Sequence, residues 1–245
     1  MLRYARVDAL CLVRSFYFLV FSVGFAAGFY LMFTVVVRDV LSSSPEFARN
    51  YMLAMSVSGA FFGALNGGGI RLGAERGDGW TRQVLLTPLS GPSYLGAKAI
   101  TAWLLTLPAV LVTFLLGALV NNVTLPPTHW LAAIATIWFA SLTFVATGLA
   151  IGLLATGEAA QFAALAVFFP LAMLGGLWFP IDSLPQLLRH IADFLPTRAV
   201  YQLAEFAINN GTGSAIKPLL VLTVWTAALT TLVLSRSRPA VLVRV

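Results

Sequence analysis

Residues 75–98 read ERGDGWTRQVLLTPLSGPSYLGAK, the longest polar interruption in the first two-thirds of an otherwise very apolar sequence. The stretch carries Glu75, Arg76, Asp78, Arg82 and Lys98 among Gly77, Gly79, Pro88, Gly91 and Pro92, and the runs flanking it, 51–70 and 99–120, lack a single Asp, Glu, Lys, Arg or His. Gly and Pro mark loops, and Asp78 can cap a helix that starts at Gly79 or Trp80. Pro88 stops such a helix about two turns later. The pattern predicts a short helix on a loop at a membrane surface, with Trp80 and Val84 one turn apart on one side. A helix of that kind does no chemistry; it offers a handle to something in the water phase.

Composition supports the membrane. The chain has 245 residues, 59% hydrophobic and 10% charged, with mean hydropathy +0.89, whereas a soluble domain carries roughly 25% charged residues. Net charge is +6, yet no basic tract resembles a nucleic-acid footprint, and the cations flank apolar runs as topology signals do. Cys11 is the single cysteine, so neither an intrachain disulfide nor a cysteine metal site is available. His129 and His190 have no neighbour at metal-ligand spacing and read as interfacial polar residues.

Residues 1–15 alternate Arg3, Arg6 and Arg14 with Leu2, Tyr4, Val7, Leu10 and Leu12, which predicts an amphipathic helix lying on an anionic membrane face. A signal peptide is the competing reading. The apolar run Phe16 to Val37 that follows has 22 residues, longer than the roughly 7–15 of a signal sequence, and lacks an A-x-A cleavage site. At 1.5 Å per residue such a run gives roughly 33 Å, enough for a hydrocarbon core of about 30 Å. Five more spans are expected at Tyr51 to Ile70, Ala99 to Val120, Trp130 to Ala155, Phe162 to Ile181 and Pro218 to Ser235. The fold class is therefore an all-α membrane protein of six transmembrane helices, a single domain over 1–245. Placing both termini in the cytoplasm puts ten Lys and Arg inside and five outside, the positive-inside arrangement, and makes 71–98 cytoplasmic.

No Asp, Glu, Lys, Arg or His lies within these six spans. Proton relays and ion-coupled carriers need ionisable groups at depth, so energy and chemistry come from elsewhere. Gly24/Gly28, Gly59/Gly63 and Gly148/Gly152 are GxxxG pairs that read as helix packing. Pro108 and Pro170 can kink the third and fifth helices. The run Gly67-Gly68-Gly69 reads equally as a hinge or as packing. Residues 175–203, GGLWFPIDSLPQLLRHIADFLPTRAVYQL, are too polar to span and too apolar for a free loop, although Leu184, Leu187, Leu188, Ile191 and Phe194 keep a helical period. A short helix dipping into the outer leaflet, over 180–199, fits that mixture.

Two stretches carry a family resemblance. ERGDGWTRQVLLTPLS with Gly96 and Lys98 resembles the cytoplasmic loop of ABC type-2 permeases, and GGLWFPIDSLP…LPT resembles their outer re-entrant segment between helices five and six. Trp80 and Arg198 depart from the family pattern. The resemblance implies the membrane subunit of an ATP-driven exporter in a bacterial inner (plasma) membrane, not an enzyme, working with two copies of a separate ATPase and a second permease copy, most simply as a homodimer. No GxxxxGK[ST] phosphate loop occurs in the chain, so it holds no cofactor itself, and ATP and Mg belong to the ATPase. Glu75, Gly79, Trp80, Arg82, Val84, Leu85, Thr87 and Pro88 would form the ATPase-coupling element, with Glu75 and Arg82 as its charged rim. Phe179, Pro180, Leu184, Pro185, Leu195 and Pro196 would form the outer gate. Phe61, Phe62, Phe168 and Phe169 are candidates for lining the path. An uncharged, Phe-rich membrane domain suits amphipathic cargo such as a drug, antibiotic or lipid. Polysaccharide or glycolipid export is the alternative within the family, and a lipid-modifying intramembrane enzyme is the alternative outside it.

Overall fold

The computed structural model describes residues 16–36, 45–84, 86–87, 89–179, 181, 184–209, 211 and 213–237. The predicted amphipathic segment 1–15, Leu85, Pro88, Pro180 and both chain ends lie outside them. Among the described residues every regular element is helical. Helix α1 is Phe16–Leu31, prolonged by a π-helical turn Met32–Val36, and α2 is Pro45–Ala64, prolonged by a second π-helical run Leu65–Ile70. There follow α3 (Arg71–Gly77), α4 (Trp80–Val84), α5 (Gly91–Leu119), α6 (Pro127–Ala140), α7 (Leu142–Leu154) and α8 (Glu158–Leu174). The last three are α9 (Gln186–Ala192), α10 (Pro196–Ile208) and α11 (Ile216–Ser235).

Among the described residues, four helical stretches are long and apolar enough to cross a membrane: Glu46–Gly77, Gly91–Leu119, Pro127–Leu154 and Ile216–Ser235. Two shorter apolar helices, Ser22–Val36 and Glu158–Leu174, fall where the first and fifth spans were expected. Burial assigns each a place. The Glu46–Gly77 stretch is mostly buried and forms the axis of the molecule, while Ile216–Ser235 is mostly exposed and lies at its edge.

Small residues set the spacing around that axis. A Cβ on Gly148 would stand 2.7 Å from the Ala64 carbonyl oxygen, and one on Gly152 would stand 2.6 Å from that of Gly69. Backbone therefore meets backbone, as small residues allow between helices in lipid. Gly67, Gly68 and Gly69 are all buried within an unbroken π-helical run and packed against α5 and α7. Gly59 and Gly63 likewise face α1 and α5, whereas Gly24 and Gly28 meet nothing within 4 Å.

Three features differ from the sequence expectation. The helix of the second span continues through the glycines to Gly77, so the polar loop is shorter than drawn. The fourth span turns at Ser141, whose hydroxyl donates to the Trp138 carbonyl at 2.6 Å. Helix α10 was not expected; one face of it, Ala199, Val200, Leu203 and Ala204, is buried. Helices α5 and α8 run through Pro108 and Pro170. Between α5 and α6, Trp103 and Trp138 stack at 4.2 Å and 4°. Each indole N–H donates to the other's carbonyl, at 2.8 Å from Trp103 and 3.3 Å from Trp138.

Candidate functional site

The polar stretch folds into an elbow. Helix α3 ends at Gly77, Asp78 follows with φ −77° and ψ −2°, and Gly79 turns the chain at φ +76°, a left-handed conformation that glycine adopts without a Cβ penalty. Asp78 thus lies at the end of α3, and α4 starts at Trp80 as expected. Ser90 caps α5, its hydroxyl accepting from the Ser93 N–H at 3.4 Å.

Glu75 organises the inner side of the elbow. Its Oε1 accepts from Lys98 Nζ at 2.6 Å and from Arg71 Nε at 3.0 Å, and its Oε2 accepts from the Tyr94 hydroxyl at 2.6 Å. The Lys98 side chain has no exposed surface and that of Glu75 is 15% exposed. Glu75 is therefore not the rim charge that its place in the loop suggested; it points into the fold and ties α3 to α5. Apolar surroundings demand such pairing, because an ammonium taken out of water is costly unless a charge and further hydrogen bonds meet it.

Arg76, also buried, reaches a third helix. Its Nη1 donates to the carbonyls of Gly152 and Leu153 at 2.8 and 2.9 Å, at the C-terminal end of α7. A cation is favoured there by the helix dipole and by carbonyls without intrahelical donors. The Gly157 N–H adds a bond to the Gly73 carbonyl at 3.0 Å. Helix α3 is thus fixed to α5 on one side and to the α7–α8 turn on the other.

Helix α4 stands outside this anchor. Thr81 and Val84 are buried, Arg82 and Gln83 are exposed, and Trp80 keeps 46% of its surface free. Val84 therefore does not share the outer face with Trp80. The second apolar side chain offered to the exterior is Leu86, 88% exposed. Thr87 is exposed and its hydroxyl donates to the Val84 carbonyl at 2.6 Å, closing the turn. Sequence reasoning missed Arg71, Tyr94 and Leu86. The first two were legible as polar side chains one turn from Glu75 and from Lys98 on their helices.

The aromatic candidates sit mid-bundle. Phe61, Phe62 and Phe168 are buried against one another, Phe61 to Phe168 at 5.3 Å and Phe62 to Phe168 at 5.2 Å, with Phe25 5.0 Å from Phe62. Within one chain they form a closed aromatic core. Phe169, 44% exposed, faces outward and meets Trp178 edge-on at 5.5 Å.

At the other end of the molecule, Phe179, Leu184, Pro185, Leu195 and Pro196 bracket helix α9. Leu187, Ile191 and Phe194 are exposed and one helical turn apart, while Pro196 is buried at the start of α10. Asp193 holds Lys217 at 2.6 Å, and the Trp225 indole donates to the Phe194 carbonyl at 2.9 Å, tying this segment to α11.

Apolar helices with a pinned polar elbow at one end describe an integral membrane protein of the kind to which transport permeases belong. The comparison with known families makes that specific: the model of the ABC-2 family transporter proteins matches residues 33–235, and the chain belongs to that family. Among curated proteins, "Putative transport permease YvfS" of Bacillus subtilis (strain 168) is 31% identical over 185 residues, which is 76% of each chain.

Proposed function

We propose that this permease is the membrane subunit of an ATP-driven exporter of amphipathic molecules, seated in a bacterial inner membrane with residues 71–98 and both chain ends in the cytoplasm. Two copies of a separate ATPase supply the energy, and a second copy of this chain completes the path. The observation that carries the reading is the division of labour within the elbow. Helix α3 is fixed to α5 and α7 through Glu75 and Arg76, while Trp80 and Leu86 on the adjoining segment are exposed.

A displacement applied at Trp80 or Leu86 is passed through Gly79 to α3, and from α3 to two long helices at once. Gly79, Trp80, Arg82, Val84, Leu85, Thr87 and Pro88 are the coupling element in this reading, with Arg82 on its rim and Glu75 as its internal anchor. Amphipathic cargo is favoured over glycan by apolar spans free of Asp, Glu, Lys, Arg and His and by outward-facing rings such as Phe169, since rings bind apolar surface with little directional demand. The outer segment from Phe179 to Pro196 is the exit gate.

Reconstitution tests this. The purified chain should hydrolyse no ATP above background. Together with its cognate ATPase in proteoliposomes, it should drive ATP-dependent movement of a fluorescent amphiphile away from the ATPase side. Hydrolysis by the isolated chain, or movement toward the ATPase side, would overturn the reading.

A further inference from the structure

Tyr51 precedes Glu75 by 24 residues on the same continuous helix, about 36 Å along its axis. There, at the opposite end of the bundle from the elbow, a cavity of about 320 Å³ opens between α2, the turn after α8, and α10. Its wall includes Tyr51, Trp178, Phe179, Arg198, Tyr201 and Glu205. Arg198 is the residue that departs from the family pattern in the outer motif.

Among the described residues, three polar atoms in this wall have no hydrogen-bond partner: the Tyr51 hydroxyl, the Trp178 indole nitrogen and Arg198 Nε. Tyr51 is only 7% exposed. An indole N–H and a guanidinium Nε–H can only donate, and a phenol donates readily. Buried donors are normally satisfied, so three of them from three separate elements around one cavity point to an acceptor that they share. The side chains are held in place by neighbours: Tyr51 stacks on Phe47 at 5.4 Å and 10°, and the Arg198 guanidinium lies 5.3 Å from the Tyr201 ring centre. Burial, and then the Glu205 carboxylate, push the Tyr201 phenol up to about 12, so this ring stays neutral beside Arg198.

We infer that this cavity binds the head of an amphiphile carrying a single oxyanion, such as a phosphodiester. The Tyr51, Trp178 and Arg198 donors meet the oxyanion, and the rings of Phe179 and Tyr201 meet the first carbons of the apolar part. Among the described residues of the wall, Arg198 and Glu205 are the charged side chains and balance one another. Selection therefore rests on donor geometry, which suits a monoanion better than a polyanion. Placed at the end of the molecule away from the elbow, the site would hold a ligand beside the outer segment.

The test is binding to the full-length permease in detergent without ATPase, so that failure here leaves the export reading standing. The probes are lysophosphatidylglycerol, a monoacylglycerol of the same chain length, and glycerol 3-phosphate. Lysophosphatidylglycerol should bind, and Tyr51→Phe and Arg198→Lys should each weaken it about tenfold, the scale of one hydrogen bond to a charged group. Both substitutions keep the ring or the charge, and matched thermal midpoints confirm folding. The monoacylglycerol should bind at least about tenfold more weakly and ignore both substitutions. Glycerol 3-phosphate should not compete. Unchanged lysophosphatidylglycerol affinity in both variants, or equal affinity for the monoacylglycerol, overturns the site. Competition by glycerol 3-phosphate at equal concentration shows a free-anion site and overturns the amphiphile.

Discussion

Glu75 and Lys98, the two ends of the polar stretch, meet: Lys98 Nζ lies 2.6 Å from Glu75 Oε1, and the lysine side chain has no exposed surface. A segment that reads as a loose loop is thereby closed on itself, with α3 and α5 as the sides of the closure. Tyr94 and Arg71 fill the remaining positions on the carboxylate.

Removing one partner of such a pair leaves a charge stranded in an apolar setting. Glu75→Gln should therefore destabilise the permease by about 3–5 kcal/mol, read as a lowered thermal midpoint in detergent. The double variant Glu75→Gln with Lys98→Met removes both charges and should recover most of the loss. If the double variant is as unstable as the sum of the two single variants, the two residues are not acting as a pair.

Trp80 and Leu86 carry the outward contact in the proposed coupling. Truncating a central aromatic anchor costs about 2 kcal/mol or more, roughly a thirtyfold loss of affinity. Trp80→Ala and Leu86→Ala should weaken association with the ATPase while leaving insertion and thermal midpoint unchanged. Val84→Ala, by contrast, removes a buried side chain and should lower the midpoint. Co-purification of undiminished ATPase with the Trp80 and Leu86 variants together would count against α4 as the contact.

The glycine contacts predict a contrast between positions that look alike in sequence. Gly148→Ala and Gly152→Ala force a methyl group against the carbonyls of Ala64 and Gly69 and should cost about 1–3 kcal/mol each. Gly24→Ala, with nothing within 4 Å of its Cβ position, should be tolerated. Equal midpoints for all three would mean that α2 and α7 are not so closely apposed.

Orientation can be read with single cysteines on a Cys11→Ala background. Leu187, 72% exposed on α9, and Gln83, exposed on α4, lie in the two stretches assigned to opposite faces. An impermeant maleimide should label Leu187→Cys in intact cells and Gln83→Cys only after permeabilisation. The reverse pattern would place the elbow outside the cell.

Much of this architecture is legible in the residues. Apolar runs free of ionisable side chains locate the helices, and Gly79 and Pro92 mark where the chain turns and where α5 begins. What periodicity could not show was the partner of each polar group. Glu75 and Lys98 are 23 residues apart, and only folding of α3 back along α5 brings them together. Sequence reasoning therefore gave Glu75 to solvent, where isolated charges belong. Val84 was misplaced for a related reason, since a five-residue helix is too short for its spacing to define a face. Helix α10 was hidden by Pro196, which reads as a break but here occupies the first turn of a helix, where a proline lacks nothing.

The π-helical run Leu65–Ile70 has a further consequence. Such a run takes in one residue more than an α-helix of the same rise, and each α-helical residue turns the chain by about 100°. It therefore sets the rotational phase between the buried axis of the molecule and α3. Winding the same residues as plain α-helix, with none removed, would rotate everything beyond them by about that angle. Glu75 would face away from Lys98 and Arg76 away from the end of α7, with no residue altered. The wide winding at the three glycines holds the elbow in phase with the bundle, and tightening it would disconnect the two as surely as removing the carboxylate.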